Sequence, residues 1–303
     1  MRYGICILPE YPWAEARPRW QRAEELGFDH AWTYDHLVWA GLPDAPWHST
    51  VVTLTAAATA TERIRLGTFV ASPNYRHPVT FTRDVVSLDE VSGGRLLLGL
   101  GAGGDRDAAM LGEQLTRKQR TDRFAEFVGL LDRTLSQDHV DHAGEFYQAV
   151  DARNAPGCTQ QPRVPFVVAA NGPRAMGLAA RHGQGWLTTG QGRGLATGPR
   201  GDSGQVEQWW RGVAELAERF AEIGAATADR TQGAAVDRYL SLDACGVPAL
   251  SSAGFFEDQV GRAEELRFSD VVVHWPRDTD PYQATIGTLE EVAARHLPGS
   301  AVP

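Results

Sequence analysis

The sequence lacks the features of several large classes of protein. Its three cysteines, Cys6, Cys158 and Cys245, are odd in number and widely spaced, which fits neither a disulfide framework nor a zinc site. No stretch approaches the roughly 20 apolar residues that a membrane-spanning helix needs. The first residues show no signal-peptide cleavage pattern. We therefore expect a cytoplasmic protein with no membrane association and no metal site.

Positive charge is also scarce. The chain has 29 Lys and Arg residues against 38 Asp and Glu, a formal net charge of −9. That balance argues against a nucleic-acid partner, because phosphate contacts need a basic surface. The HExxH helix, the nucleophile elbow and the P-loop are missing as well, so hydrolysis by a metal or a serine has little support.

The most informative stretch that is present runs from residue 63 to residue 104. Residues 64–70 and 96–100 are short apolar runs, and residues 79–91 have a helical period that ends at Ser92-Gly93-Gly94. Two strands that are apolar on both faces and joined by a helix predict a buried parallel sheet. The glycines that follow the second strand let backbone approach a ligand closely. We expect a ligand site where the strands end.

The rest of the chain continues this alternation. Further strands are predicted at residues 3–8, 28–34, 164–170, 185–189, 238–244 and 270–275. Further helices are predicted at residues 18–26, 49–61, 117–135, 174–182, 206–223, 256–266 and 288–296, with Pro18 in the opening turn of the first and Ser49 as the N-cap of the second. Residues 139–159 have no clear place in the alternation, and residues 189–205 form a long glycine-rich loop.

Eight strands alternating with eight helices predict an α/β fold, a (β/α)8 TIM barrel. It forms a single domain over residues 1–303, with insertions near strand five and after strand six. The alternative is an open doubly wound sheet. That fold normally places a glycine-rich phosphate turn after its first strand, where this chain has PEYPW.

In such a barrel the site is built at the carboxyl ends of the strands. Aromatic side chains and glycine-lined backbone collect there, which suits a flat heterocyclic cofactor. We expect the substrate pocket to use residues from three of these strand ends: Glu10, Tyr11, Trp13, Trp39 and Tyr75.

Several of these residues have two interpretations. Asn171, as a helix cap, and the glycine after it either bind a phosphate at the start of a helix or form an ordinary strand-to-helix turn. His36 is either a catalytic residue or a structural hydrogen-bonding one. Arg76 is an anion clamp or a solvated loop charge, and we favour the latter. Asp105 and Asp107 are placed to cap the next element.

With these residues in view, the chain resembles the luciferase-like monooxygenase superfamily, whose barrels bind FMN or the deazaflavin coenzyme F420. The resemblance extends over nearly the whole chain. Five motifs in order carry it: AEELGFDHAWTYDH (23–36), RIRLGTFVASP (63–73), RHPVTFTRDVVSLDEVSGGRLLLGLGAGG (76–104), VAANGPRAMGLAARHGQGW (168–186) and VVVHWPR (271–277).

The resemblance implies a role for each matching residue. His36 corresponds to a histidine near the reactive carbon of the cofactor, where it acts as general acid or base. A cis peptide bond between Phe69 and Val70 supports the ring from behind. The implied cofactor-binding residues are Asp35, Phe69, Val70, Ser72, Gly101, Ala102, Gly103, Gly104, Asp107, Asn171, Gly172, Pro173 and Arg174.

Two positions depart from the family pattern. The sugar-phosphate dehydrogenases of the family have a glutamate where this chain has Gly104, which speaks against a sugar-phosphate substrate. The interval from His36 to Trp39 differs by one residue from theirs.

The resemblance implies an F420-dependent oxidoreductase that transfers hydride between the cofactor and a small organic substrate. One alternative is an FMN-dependent monooxygenase supplied with reduced flavin by a separate reductase. Another is a flavin-binding protein without turnover. Residues 49–61, a helix almost without charge, together with residues 79–91, predict the face of a homodimer.

Overall fold

The computed structural model describes residues 1–191, 203–228 and 236–297. Within them, eight parallel strands form a closed barrel, and two more strands, β5 (His139–Ala143) and β6 (Gln148–Arg153), form a separate sheet. The barrel strands are β1 (Arg2–Cys6), β2 (His30–Thr33), β3 (Arg65–Thr68), β4 (Leu96–Leu100), β7 (Phe166–Ala169), β8 (Gly185–Thr188), β9 (Asp237–Ser241) and β10 (Asp270–His274). Their order around the barrel is β1-β10-β9-β8-β7-β4-β3-β2, which confirms the predicted (β/α)8 architecture.

Helices surround this barrel and connect successive strands. They are α1 (Trp13–Glu25), α2 (Thr50–Ala60), α3 (Pro78–Val91), α4 (Asp105–Met110), α5 (Arg117–Ser136), α6 (Pro173–His182), α7 (Ser203–Ala228), α8 (Ala253–Glu265) and α9 (Ile286–His296). Among the described residues, no helix is both long and apolar enough to span a bilayer.

The predicted start of the first helix was wrong. Helix α1 begins at Trp13, and Pro18 lies inside it rather than in its opening turn. The Pro12 carbonyl accepts hydrogen bonds from the amides of Glu15 and Ala16, so the helix begins before Pro18. The expected N-cap at Ser49 is in place, although its side chain makes no capping hydrogen bond.

The two predicted insertions have different outcomes. Residues 139–159 contain an antiparallel hairpin of β5 (His139–Ala143) and β6 (Gln148–Arg153). The Glu126 carboxylate of α5 holds it by accepting from the amides of Phe146 (3.0 Å) and Tyr147 (2.9 Å). In the predicted loop 189–205, residues 192–202 lie outside the described part of the chain.

Strands β3 and β4 approach each other unusually closely at their carboxyl ends. A Cβ atom at Gly99 would lie 1.9 Å from the Thr68 carbonyl oxygen, so only glycine fits there. After the pair of Gly67 with Leu97, the next pair is Ala71 with Leu100, so three residues stand opposite two and the strand bulges. The Ala71 amide donates to the Gly99 carbonyl at 2.8 Å. The bulge contains Phe69 and Val70, and the peptide bond between them is cis, as the resemblance implied.

This close approach predicts that one added methyl group at residue 99 lowers stability. We expect Gly99→Ala to lower the free energy of unfolding by about 1–3 kcal/mol, because the added Cβ meets backbone that cannot rotate away. Gly261→Ala in α8 is the matched control: no atom lies within 4 Å of its Cβ position. It should raise stability by about 0.5–1 kcal/mol through helix propensity. Urea unfolding measures both, and equal stability of the two variants would contradict the argument.

Candidate active site

Asp35, two residues after β2, is a buried charge at the mouth of the barrel. Its carboxylate accepts from the Tyr75 hydroxyl at 2.5 Å and from Arg76 Nη2 at 2.8 Å, and Arg76 Nη1 lies 2.5 Å from its second oxygen. The Arg76 side chain is only 10% exposed. The expectation of a solvated loop charge at Arg76 was therefore wrong, because burial of Asp35 requires a cation beside it.

His36 and Asp107 form a hydrogen-bonded pair next to it. The His36 Nδ1 atom lies 2.8 Å from Asp107 Oδ2, and the Leu37 amide donates to Oδ1 at 2.8 Å. Since a carboxylate only accepts, Nδ1 carries the proton and Nε2 is left for chemistry. Burial raises the pKa of Asp107, but the His36 hydrogen bond, its charge and the nearby amides outweigh that effect and lower it overall. The His36 side chain is 28% exposed.

The glycine turn after β4 is held in place by neighbouring side chains, which fill the Cβ positions of Gly101 and Gly103 and leave open space at that of Gly104. A Cβ at Gly101 would lie 2.5 Å from Val70 Cγ2, and Gly103 has a φ of +74°. The Asn74 amide donates to the Gly104 carbonyl at 2.7 Å, and the Ser72 hydroxyl accepts from the Asn74 backbone at 3.4 Å. Bare backbone of this kind accommodates the close approach of a planar ring.

At the start of α6, no side chain among the described residues caps the backbone amides. Gly172 is the N-cap residue and Pro173 is the first helical residue. Within the described part of the chain, the space around the Cβ position of Gly172 is open, with no atom within 4 Å apart from those of its chain neighbours. The expected capping by Asn171 was wrong: its amide donates to the Gly190 carbonyl at 2.9 Å, and its oxygen accepts from Thr188 at 2.6 Å. The first-turn amides and the positive end of the helix therefore remain available to an anion.

A cavity of about 430 Å³ adjoins this helix end and the glycine turn. Backbone and side chains of Ala102, Gly103 and Asn171 line it, together with the three arginines Arg117, Arg120 and Arg174. The Arg174 side chain is paired with Asp122 and more than half exposed. The donor set of the cavity is cationic and amide-rich, so it fits the phosphorylated portion of a cofactor whose ring lies on the glycine turn.

The residues predicted to form the substrate pocket do not all converge. Tyr75 and Trp39 lie at the mouth. The Tyr75 hydroxyl donates to Asp35, and the Trp39 ring stacks on Tyr282 with ring centroids 5.9 Å apart. Glu10 forms a buried bidentate pair with Arg277, at 2.7 and 3.0 Å. The remaining two belong to the first strand-to-helix connection: Tyr11 lies under the Arg19 guanidinium, and Trp13 begins α1.

Sequence reasoning missed several polar residues beneath the mouth. Tyr34 stacks on Phe69 at 6.0 Å and hydrogen-bonds to His274 and Tyr282. The strand-end position of Tyr34 and His274 was a usable signal. Tyr282 carried none, because it lies in the loop after β10 with no periodicity around it.

Comparison with known proteins gives one consistent result. A family model described as luciferase-like monooxygenase matches residues 1–295. An F420-dependent glucose-6-phosphate dehydrogenase from Amycolatopsis mediterranei is 32% identical over 282 residues, which cover 87% of this chain and 80% of that protein.

Two solved structures are similar over nearly their whole length. Coenzyme F420-dependent tetrahydromethanopterin reductase from Methanopyrus kandleri has a TM-score of 0.74 at 17% identity, covering 98% of this chain and 99% of that one. An F420-dependent secondary alcohol dehydrogenase, in complex with an F420–acetone adduct, has a TM-score of 0.77 at 17% identity, with 99% and 98% covered. At that identity the structures establish the fold, while the family model and the sequence relative establish the family. The chain belongs to the luciferase-like monooxygenase family.

Proposed function

We propose that this protein is an oxidoreductase that uses coenzyme F420 and transfers hydride between the cofactor and a small organic substrate. The deazaflavin supplies the two-electron chemistry, and the protein supplies orientation and proton handling. The observation that carries this proposal is the His36–Asp107 pair beside the glycine turn, with Nε2 of His36 left unpaired by that arrangement. The F420-dependent relative that aligns over most of the chain supports the choice of cofactor.

The residues that would hold the cofactor fall into two groups. Gly101, Ala102, Gly103 and Gly104, with Phe69 and Val70 behind them, would contact the ring. The start of α6, at Gly172 and Pro173, would bind the phosphate through backbone amides. Asp35 and Ser72 fix the segments between these groups, Asp35 through Arg76 and Ser72 through Asn74.

The substrate itself is an uncharged alcohol or carbonyl compound. Two arginines at the mouth, Arg76 and Arg277, are already paired with Asp35 and Glu10 in buried contacts. Neither charge is left to neutralise a phosphorylated substrate. The Gly104 position, where the sugar-phosphate dehydrogenases have a glutamate, agrees with this choice.

Titration with each cofactor tests the proposal directly. We expect the quenching of F420 fluorescence by the purified protein to saturate, and FMN to bind more weakly, because the relative that aligns over most of the chain is F420-dependent. Submicromolar affinity for FMN with none for F420 would instead favour a monooxygenase supplied by a partner reductase.

Replacement of His36 tests its role as acid or base. We expect His36→Ala to lower turnover at least about 100-fold with little change in F420 affinity, because positioned proton transfer contributes at least that factor. Asp107→Asn should give a smaller loss, since the imidazole remains but its tautomer is no longer fixed. His139→Ala, on the exposed β5–β6 hairpin, is the control and should behave like the unmodified protein. Unchanged turnover in His36→Ala would remove this residue from the mechanism.

We further propose that the protein is a cytoplasmic homodimer. All three cysteines are free and buried, as a reducing compartment permits. Helix α2 has no charged residue, and its Val52 side chain is 67% exposed, so the helix presents apolar surface that a second copy would cover.

A surface charge tests the dimer. We expect sedimentation of the unmodified protein as a dimer at micromolar concentration and of Val52→Asp as a monomer, because a buried unpaired carboxylate opposes association. Val150→Asp, at an 85% exposed site on the hairpin, should remain dimeric. A monomer in the unmodified protein would end the proposal.

A further inference from the structure

Four polar side chains form a continuous chain of hydrogen bonds beneath the mouth of the barrel. They come from four separate segments: Asp243 after β9, His274 at the end of β10, Tyr34 after β2 and Tyr282 in the loop after β10. The distances are 2.8 Å from Asp243 Oδ2 to His274 Nδ1, 2.9 Å from His274 Nε2 to Tyr34 Oη, and 2.7 Å from Tyr34 Oη to Tyr282 Oη.

The buried end of the chain has a defined polarity. Asp243 accepts from three N–H groups: the Ala249 amide at 2.6 Å, the His274 amide at 2.7 Å and the His274 ring. Because the carboxylate is surrounded by donors, the His274 Nδ1 atom carries a proton. In the neutral imidazole the Nε2 atom is then the acceptor for the Tyr34 hydroxyl, and Tyr34 accepts in turn from Tyr282.

Both phenols are protonated at neutral pH, because burial raises the pKa of Tyr34 and of Tyr282 far above the ordinary value. Each phenol can therefore relay a proton by accepting one and releasing its own, without becoming a phenolate. The rings are also held still. Tyr282 stacks face to face on His274 at 3.6 Å and on Trp39 at 5.9 Å.

Two members of the chain lie at the mouth of the barrel. Tyr282, at the end opposite Asp243, is stacked on Trp39 with ring centroids 5.9 Å apart. Tyr34 immediately precedes Asp35 and His36, and its ring is 6.1 Å from the His36 ring. The same ring is parallel to Phe69, the residue of the cis bulge, at 6.0 Å. The His36 side chain is 28% exposed and hydrogen-bonded to Asp107, whereas the residues from Tyr282 to Asp243 are buried and hydrogen-bonded to one another. Within the described residues, no hydrogen bond joins the two groups.

We propose that Tyr282, Tyr34, His274 and Asp243 are a proton relay that connects the substrate oxygen to His274. This inference rests on the proposed hydride-transfer function. In alcohol oxidation, F420 would accept the hydride of the substrate carbon and the hydroxyl proton would pass to Tyr282 Oη, which leaves His36 to supply the proton of the reduced cofactor. Tyr282 gives its own proton to Tyr34, and Tyr34 gives its own to His274 Nε2, where Asp243 stabilises the imidazolium. After the carbonyl product leaves, the proton returns along the same chain to water at the mouth, so the four residues end as they began. Carbonyl reduction runs the same transfers backwards.

Phenylalanine variants interrupt the relay without removing a ring. With F420 and 2-propanol, the simplest secondary alcohol, we expect Tyr282→Phe and Tyr34→Phe each to lower kcat by about 100-fold, the lower range for positioned proton transfer. KM and F420 affinity should change little. Because both residues act in one chain, the double variant should be no slower than either single variant. The solvent isotope effect should report several protons in the unmodified protein and fewer in the variants.

Tyr239→Phe is the matched control. Tyr239 lies in the same buried cluster of the barrel interior but outside the chain, so its variant should keep both the rate and the isotope effect. Additive losses from Tyr282→Phe and Tyr34→Phe, or an unchanged isotope effect in them, would overturn the relay. A protein that binds F420 yet neither oxidises 2-propanol nor reduces acetone would also overturn it. Absence of F420 binding would instead overturn the proposed function.

A second measurement needs no cofactor. In protein labelled with ¹⁵N-histidine, the His274 Nδ1 proton should give the far-downfield resonance of an imidazole bonded to a carboxylate, with Nε2 unprotonated. Tyr34→Phe should shift the Nε2 signal, and Tyr239→Phe should not. A proton found on Nε2 and none on Nδ1 would contradict the assigned polarity.

Discussion

The organisation of the barrel mouth depends on the contact between the Thr68 carbonyl and the backbone of Gly99. Because no side chain fits at residue 99, β3 and β4 meet at backbone distance, and the chain bulges through Phe69 and Val70 before the pairing resumes at Ala71. In this bulge Phe69 faces Tyr34 and Val70 lies against Gly101. The same bulge therefore shapes both the proposed ring site and the aromatic contact of Tyr34 with Phe69 beneath it.

Charge at the mouth is organised by pairing. Asp35 is bonded to Arg76, Glu10 to Arg277, Asp107 to His36 and Asp243 to His274, and each carboxylate is largely withdrawn from solvent. Burial of an unpaired charge costs far more than the pair gains, so each carboxylate fixes the position of its partner. The result is a rigid mouth in which both arginines are neutralised by carboxylates and both imidazoles are oriented by them, so that polar groups serve orientation and proton transfer rather than capture of an anionic ligand.

The sequence predicted the fold well because the fold is periodic. Apolar runs at 64–70 and 96–100 could only be buried strands, and the alternation with helices left few architectures open. Helix starts were less predictable: the start of α1 at Trp13 depends on the Pro12 carbonyl, which no spacing rule reveals. The candidate site residues were predicted one by one from the strand ends and the family resemblance. The hydrogen-bonded pairs among these residues were not predicted, because partners such as His36 and Asp107 are 71 positions apart and come together only in the closed barrel. For the same reason Arg76 was taken for a surface charge.

The pairing of β1 with β10 has a consequence for how the chain is made. Arg2 lies opposite Asp270 in the ladder, and its guanidinium donates to that carboxylate at 2.8 and 2.7 Å. The first strand therefore cannot complete its pairing until a partner 268 positions later in the chain has been synthesised. Until the ribosome has delivered β10, the nascent chain exposes the open edge of an incomplete sheet, with unpaired backbone along its first strand. Protection of that edge during translation is a requirement that the closed barrel imposes on the cell.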